Sequence, residues 1–156
     1  MYVYNKHRIS IYFNFCAMQI NYVAVFVCGL VAMVLGSIWY GPLFGKKWME
    51  IIGAKPPQND AEKKKMMKQA MPLYIIQFVL VLFQAYVLAY YIAGWKEASG
   101  LTNSLWIWAA FVMPTVAGCS MWTNDSRKVM WQRFFLQAGY QCILFILFGL
   151  ILGMWK

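Results

Sequence analysis

Charge is scarce in this chain. Asp, Glu, Lys and Arg make up 12% of its 156 residues, about half the roughly 25% of an ordinary soluble domain. A soluble globule of this size cannot cover its surface with so few charges. Histidine is nearly missing: His7 stands alone, which leaves no histidine set for a zinc or haem site. The four cysteines, Cys16, Cys28, Cys119 and Cys142, are dispersed and form no C-x-x-C pair. A disulfide scaffold is therefore not expected. The thiols read first as small apolar packing residues, with a redox or metal role as the lesser alternative.

What the chain has instead is apolar and aromatic mass. Its hydrophobic fraction is 62% and its aromatic fraction 19%, which excludes a disordered chain. The mean hydropathy of +0.53 is held down by Trp and Tyr. The few charges act as a ruler, because a charge inside hydrocarbon costs several kcal/mol. Charge-free windows lie between Arg8 and Lys46, Lys68 and Lys96, Glu97 and Asp125, and Arg133 and Lys156. A spanning helix needs about 20 residues, and these windows place spans at about 20–40, 72–95, 104–123 and 134–155. The expected fold is all-α, an integral membrane four-helix bundle in one domain, residues 18–156. Tyr22, Trp39, Tyr40, Trp95, Trp122 and Trp155 fall near the span ends, the headgroup level that such rings favour.

Residues 1–17 form an extension with Lys6 and Arg8 ahead of a short apolar run. A signal peptide is not expected, because no small-x-small cleavage site follows and the next apolar stretch is of full spanning length. Two readings remain: an extension lying along the membrane surface, or a true start at Met18.

Ten of the fourteen basic residues lie on one side of the spans, in loops 41–71 and 124–133 or next to them. Lys6, Arg8, Lys96 and Lys156 lie on the other. The positive-inside rule then puts both loops in the cytoplasm and both termini outside. The net charge of +9 is largely this asymmetry and implies anionic lipid headgroups as partners. A nucleic-acid partner is not expected, since the basic residues sit beside spans at membrane level.

The first loop has room for structure. Phe44, Trp48, Ile51 and Ile52 share one helical face, with Lys46, Lys47 and Glu50 opposite. This predicts a short helix over 43–52 lying in the interface and stopped by Gly53. After a break at Lys55, Pro56 and Pro57, Asn59 and Glu62 resemble a capping box opening a basic helix over 60–71. Pro72 either kinks that helix into span two or starts the span afresh.

No Asp, Glu, Lys, Arg or His lies inside a span, which argues against proton-coupled transport and intramembrane acid–base chemistry. No nucleophile–base pair is visible, so the chain is not expected to be an enzyme or to carry a cofactor. The polar groups within spans are few. Gln77 and Gln84 are seven apart, Gln137 and Gln141 four apart, so each pair shares a helix face. They read either as interhelical hydrogen-bonding glue or as the lining of a solute path, with Pro114 as its hinge. Ala32 and Gly36, Ala85 and Ala89, and Gly149 and Gly153 have the spacing that lets helices approach closely. Trp39 and Trp48 are nine apart, as are Trp122 and Trp131, so a duplicated hairpin is an open alternative to coincidence.

Trp39-Tyr40-Gly41-Pro42-Leu43-Phe44-Gly45-Lys46-Lys47-Trp48, preceded by Gln19-Ile20-Asn21-Tyr22, resembles the opening of the bacterial membrane family catalogued as domain of unknown function 1761 (DUF1761). Trp131, Leu136-Gln137-Ala138-Gly139-Tyr140 and the closing Gly149, Gly153 and Trp155 fit as well. The resemblance covers about residues 18–156 and implies a four-helix membrane protein with no established activity. Physically, the first motif reads as a turn at headgroup level. Gly41 and Pro42 end the span, Gly45 permits the turn, and Trp39, Tyr40 and Trp48 anchor it, with Lys46 and Lys47 toward phosphates. It is either a topological anchor or a site for a lipid headgroup or anionic solute. The leading expectation is a structural or binding protein that associates with lipid, with itself or with a larger membrane partner. The alternative is a facilitator for a small neutral or anionic solute without proton coupling.

Overall fold

The computed structural model describes residues 19–55 and 57–155. The N-terminal extension and its start-site alternatives, Pro56 of the predicted break, and Lys156 lie outside the described residues. Among the described residues five helices follow in order: α1 (Tyr22–Leu43), α2 (Gly45–Ile51), α3 (Asp60–Gly94), α4 (Gly100–Met121) and α5 (Arg127–Met154). No strand occurs among the described residues. Helices α1, α3, α4 and α5 are long and apolar enough to cross a bilayer, so the all-α four-span bundle is the observed architecture.

Each spanning helix starts where a small polar side chain can take up free backbone N–H groups. Asn21 accepts from Val23 and Ala24, both at 3.1 Å. Asn59 accepts from Glu62 at 2.8 Å, Ser99 from Thr102 at 3.0 Å, and Ser126 from Val129 at 3.4 Å. The capping box predicted at Asn59 forms with one difference: the Glu62 carboxylate accepts from Gln58 N–H at 2.8 Å rather than from Asn59. The stop at Gly53 is as expected. Its φ is +68°, and Gly53 and Ala54 donate back to the Glu50 and Met49 carbonyls, the pattern that closes a helix with a left-handed residue.

The helices overrun the predicted spans. Span two is not restarted at Pro72; α3 runs unbroken from Asp60 to Gly94 with Pro72 inside. The carbonyl that Pro72 leaves without its usual donor belongs to Lys68, in an exposed stretch of the helix where water can replace the missing bond. Helix α4 begins at Gly100 rather than 104, and α5 at Arg127 rather than 134. Charge spacing measures the hydrocarbon layer, and a capped helix continues past it into the headgroups. Pro114 disturbs α4 one turn upstream. Residues Trp108–Val112 form a π-turn in which Met113 N–H reaches Trp108 O. The wider turn eases the clash between a proline ring and the carbonyl four residues before it. Thr115 Oγ1 donates to Phe111 O at 2.6 Å, so a side chain takes up a carbonyl in the disturbed turn.

Helix α5 is the centre of the bundle, packed against α4, α1 and α2, while α3 packs chiefly on α1. The tightest approach joins α4 to α5. A Cβ on Gly100 would stand 2.5 Å from Gly149 O and 2.7 Å from Gly153 Cα. Gly100 was not expected to matter, because it lies just outside the charge-defined span. The α1–α3 seam closes at Gly29, where a Cβ would meet Leu82 Cδ2 at 2.6 Å. Ala85 and Ala89 are buried in the same core as Ala32 and Cys28, and Gly36 lies under the Tyr140 hydroxyl. The small-residue pairs are thus used within the chain. Phe145, Phe148, Leu144 and Ile92 fill the centre. Of the described cysteines only Cys28 is buried; Cys142 is half-buried and Cys119 exposed.

Gly149→Ala should lower the melting temperature of the detergent-solubilised protein by an amount equivalent to about 1–3 kcal/mol. Its methyl would run into Ser104 Oγ and into Gly100 O at 2.8 Å. Gly118→Ala, with no heavy atom within 4 Å of the added carbon, should be neutral or slightly stabilising.

Candidate functional site

The segment 39–48 is the most organised part of the basic end of the bundle. Helix α1 closes there in a π-turn over Trp39–Leu43, where Phe44 N–H reaches Trp39 O at 2.9 Å. Pro42, with no N–H to place, fits inside this wider turn. Gly45 is obligatory at the reversal: a Cβ would stand 2.7 Å from Tyr40 O. Gly41 by contrast has open space around it.

The aromatic residues of this turn point at α5. Trp39 Nε1 donates to Leu136 O at 3.2 Å. The indole lies over Gly139, whose missing side chain leaves it 3.5 Å from an added Cβ. Tyr140 sits between the two rings of the turn, 6.3 Å from Trp39 and 5.3 Å from Tyr40 by ring centroids. Its hydroxyl donates to Ala32 O at 3.3 Å. Tyr40 also meets Trp48 edge-on at 5.2 Å. The two stretches singled out separately in the sequence, 39–48 and 136–140, therefore form a single packed unit.

Helix α2 is held onto α5 by Arg133. Its guanidinium donates to Ile51 O, the C-terminal carbonyl end of α2, at 3.2 Å, and pairs with Asp125. A cation at that end also opposes the helix dipole. Ile51 is buried beneath it, while Phe44 and Ile52 remain exposed. Lys46 and Lys47 lie on the polar side, and Lys47 pairs with Glu50 at 2.8 Å. That ammonium, by its hydrogen bond and its charge, holds the Glu50 carboxyl below its usual range. Sequence reasoning placed Arg133 in a loop count and gave no role to Asp125; nothing local marks either residue as a latch.

The family match covers nearly the whole chain. The family described as "Protein of unknown function (DUF1761)" matches residues 23–153. This protein is a member of the DUF1761 family. The match spans all four membrane helices and both halves of the packed aromatic unit. No curated protein and no solved structure matches the chain.

In this DUF1761 chain the four glutamines are divided between α3 and α5. Gln77 is exposed on α3, and Gln84 is half-buried on the same helix. Gln137 and Gln141 are half-buried on α5. Among the described residues no hydrogen bond joins any two of them, and the Gln141 amide oxygen is buried without a partner. A small cavity at the opposite end of the bundle is lined by Gln19, Asn21, Ala89, Ile92 and Trp155 among others, and by none of Gln77, Gln84, Gln137 and Gln141. Pro114 is exposed on α4. The two tryptophan pairs frame different structures: Trp39 is packed on α5, whereas Trp122 is 89% exposed. Among the described residues no three of His, Cys, Asp and Glu come together.

Trp39→Phe keeps the ring but removes its N–H, and should cost about 0.5–1.5 kcal/mol of unfolding free energy. Arg133→Met should instead leave the spans intact and release α2. Amide hydrogen exchange over residues 45–51 should speed up at least tenfold, with exchange in the centre of α5 unchanged.

Proposed function

We propose that this DUF1761 chain is a structural, lipid-associating membrane protein, not an enzyme, with its basic end in the cytoplasm and both termini outside. One observation carries the reading. The basic end is a surface of fixed shape: α2 is latched to α5 with its lysines turned outward and with Phe44 and Ile52 exposed beside them. A short helix with exposed apolar and cationic sides at the end of four spans suits the headgroup layer. Anionic headgroups complement the lysines of α2, α3 and the loop between them. Self-association or a larger membrane partner would have to use other faces, because the small-residue pairs are already packed inside the chain.

Native mass spectrometry reads the lipid preference directly. Chain extracted from vesicles of phosphatidylcholine and phosphatidylglycerol should retain phosphatidylglycerol above its share of the mixture, and Lys46→Glu with Lys47→Glu should reduce the excess. Retention in proportion to the mixture sinks the reading. Orientation is tested separately. In a variant lacking the native cysteines, Lys64→Cys should react with an impermeant maleimide only after the membrane is opened, and labelling in intact cells would reverse the topology.

A further inference from the structure

The inner face of α3 is covered at one end and bare at the other. Toward the termini, Val81, Ala85, Leu88 and Ile92 are all at most 2% exposed. At 100° per residue the same face continues toward the basic end through Tyr74, Ala70, Met67 and Lys63, with Met71 at its edge. There Tyr74 and Met71 are each 55% exposed and Met67 is 58% exposed, while Ala70 is half-buried. Residues 71–77 are exposed without exception. The α1–α3 seam therefore closes from Phe78 onward, where that ring meets Phe26 edge-on at 6.2 Å, and opens on the basic side.

The 35 residues of α3 measure about 52 Å, against a bilayer of about 40–45 Å including headgroups, so its lysine end reaches the headgroup layer. Packed at its far half alone, the helix leaves a wedge beside its near half.

We propose that this wedge is a lateral groove that takes the acyl chain of an anionic phospholipid from the leaflet at the basic end, with its phosphate against Lys63 and Lys64. The assignment rests on the lipid-associating reading above and gives it a place in the fold. Charge chooses the occupant. The bare face ends in Lys63, with Lys64 on its flank and Lys46 of α2 at the same end of the bundle; none of the three has an acidic partner among the described residues. A second copy inserted in the same membrane orientation would bring its own lysine row against this one, whereas an anionic headgroup neutralises it.

Site-specific cross-linking tests the groove. The photoreactive residue p-benzoylphenylalanine replaces Tyr74 on the inner face or Ile76 on the outer face, with the full chain in vesicles of phosphatidylcholine and phosphatidylglycerol. Adducts at position 74 should be enriched in phosphatidylglycerol over those at 76. Adding Lys63→Glu and Lys64→Glu should remove the enrichment, which is worth about fivefold for each lysine contact at ~1 kcal/mol. Equal lipid composition at 74 and 76 overturns the groove, as does a chain-to-chain adduct at 74. If the extracted chain still retains excess phosphatidylglycerol while position 74 shows none, the groove fails and the lipid-associating reading stands. If neither is seen, both fail.

Discussion

Inside hydrocarbon an apolar side chain gains nothing by exchanging a lipid tail for another apolar side chain, so helices there are held by close approach and by hydrogen bonds. In this protein both devices converge on α5. Gly149 and Gly153 let Gly100 of α4 come into backbone contact, and the Leu136 carbonyl receives the Trp39 indole from α1. Tyr140 returns the connection by reaching Ala32 O on α1. Take these contacts away and the remaining burial, Phe145 and Phe148 included, could be satisfied by lipid.

The same constraint orders the basic end. Helix α2 has seven residues, too few to be stable alone, and owes its place to the turn before it and to Arg133 after it. The turn works because the π-geometry of Trp39–Leu43 accommodates Pro42 and because Gly45 has no side chain to strike Tyr40 O. The result is a cationic platform whose position relative to the spans is set by tertiary contacts and not by the membrane alone. Helix α3 is the exception. Only its far half is packed and its near half stands bare, which is why one stretch of this helix can offer a surface to lipid while another is sealed.

Much of this was legible in the residues. The four spans followed from gaps between charges, and the stop at Gly53 and the cap at Asn59 from single side chains with known backbone preferences. Helix ends were less legible, since Ser99 and Ser126 start helices outside the hydrocarbon, where charge carries no warning. The aromatic unit was visible only as two fragments. Nothing in Trp39 announces that its N–H meets a carbonyl ninety-seven positions later, and Arg133 reads as one more basic residue until Asp125 and Ile51 O are brought to it.

Sequence alone determined that this chain spans a bilayer four times and that its cations gather at one end. That is because the cost of placing a charge in hydrocarbon belongs to each residue separately and needs no partner. Which helix faces meet was decided only by the tertiary structure. The spans are apolar on nearly every side, so the pattern of apolar residues does not distinguish a lipid-facing surface from a buried one. The choice falls to shape: a glycine opposite a glycine, an indole over Gly139, and a tyrosine hydroxyl over Gly36.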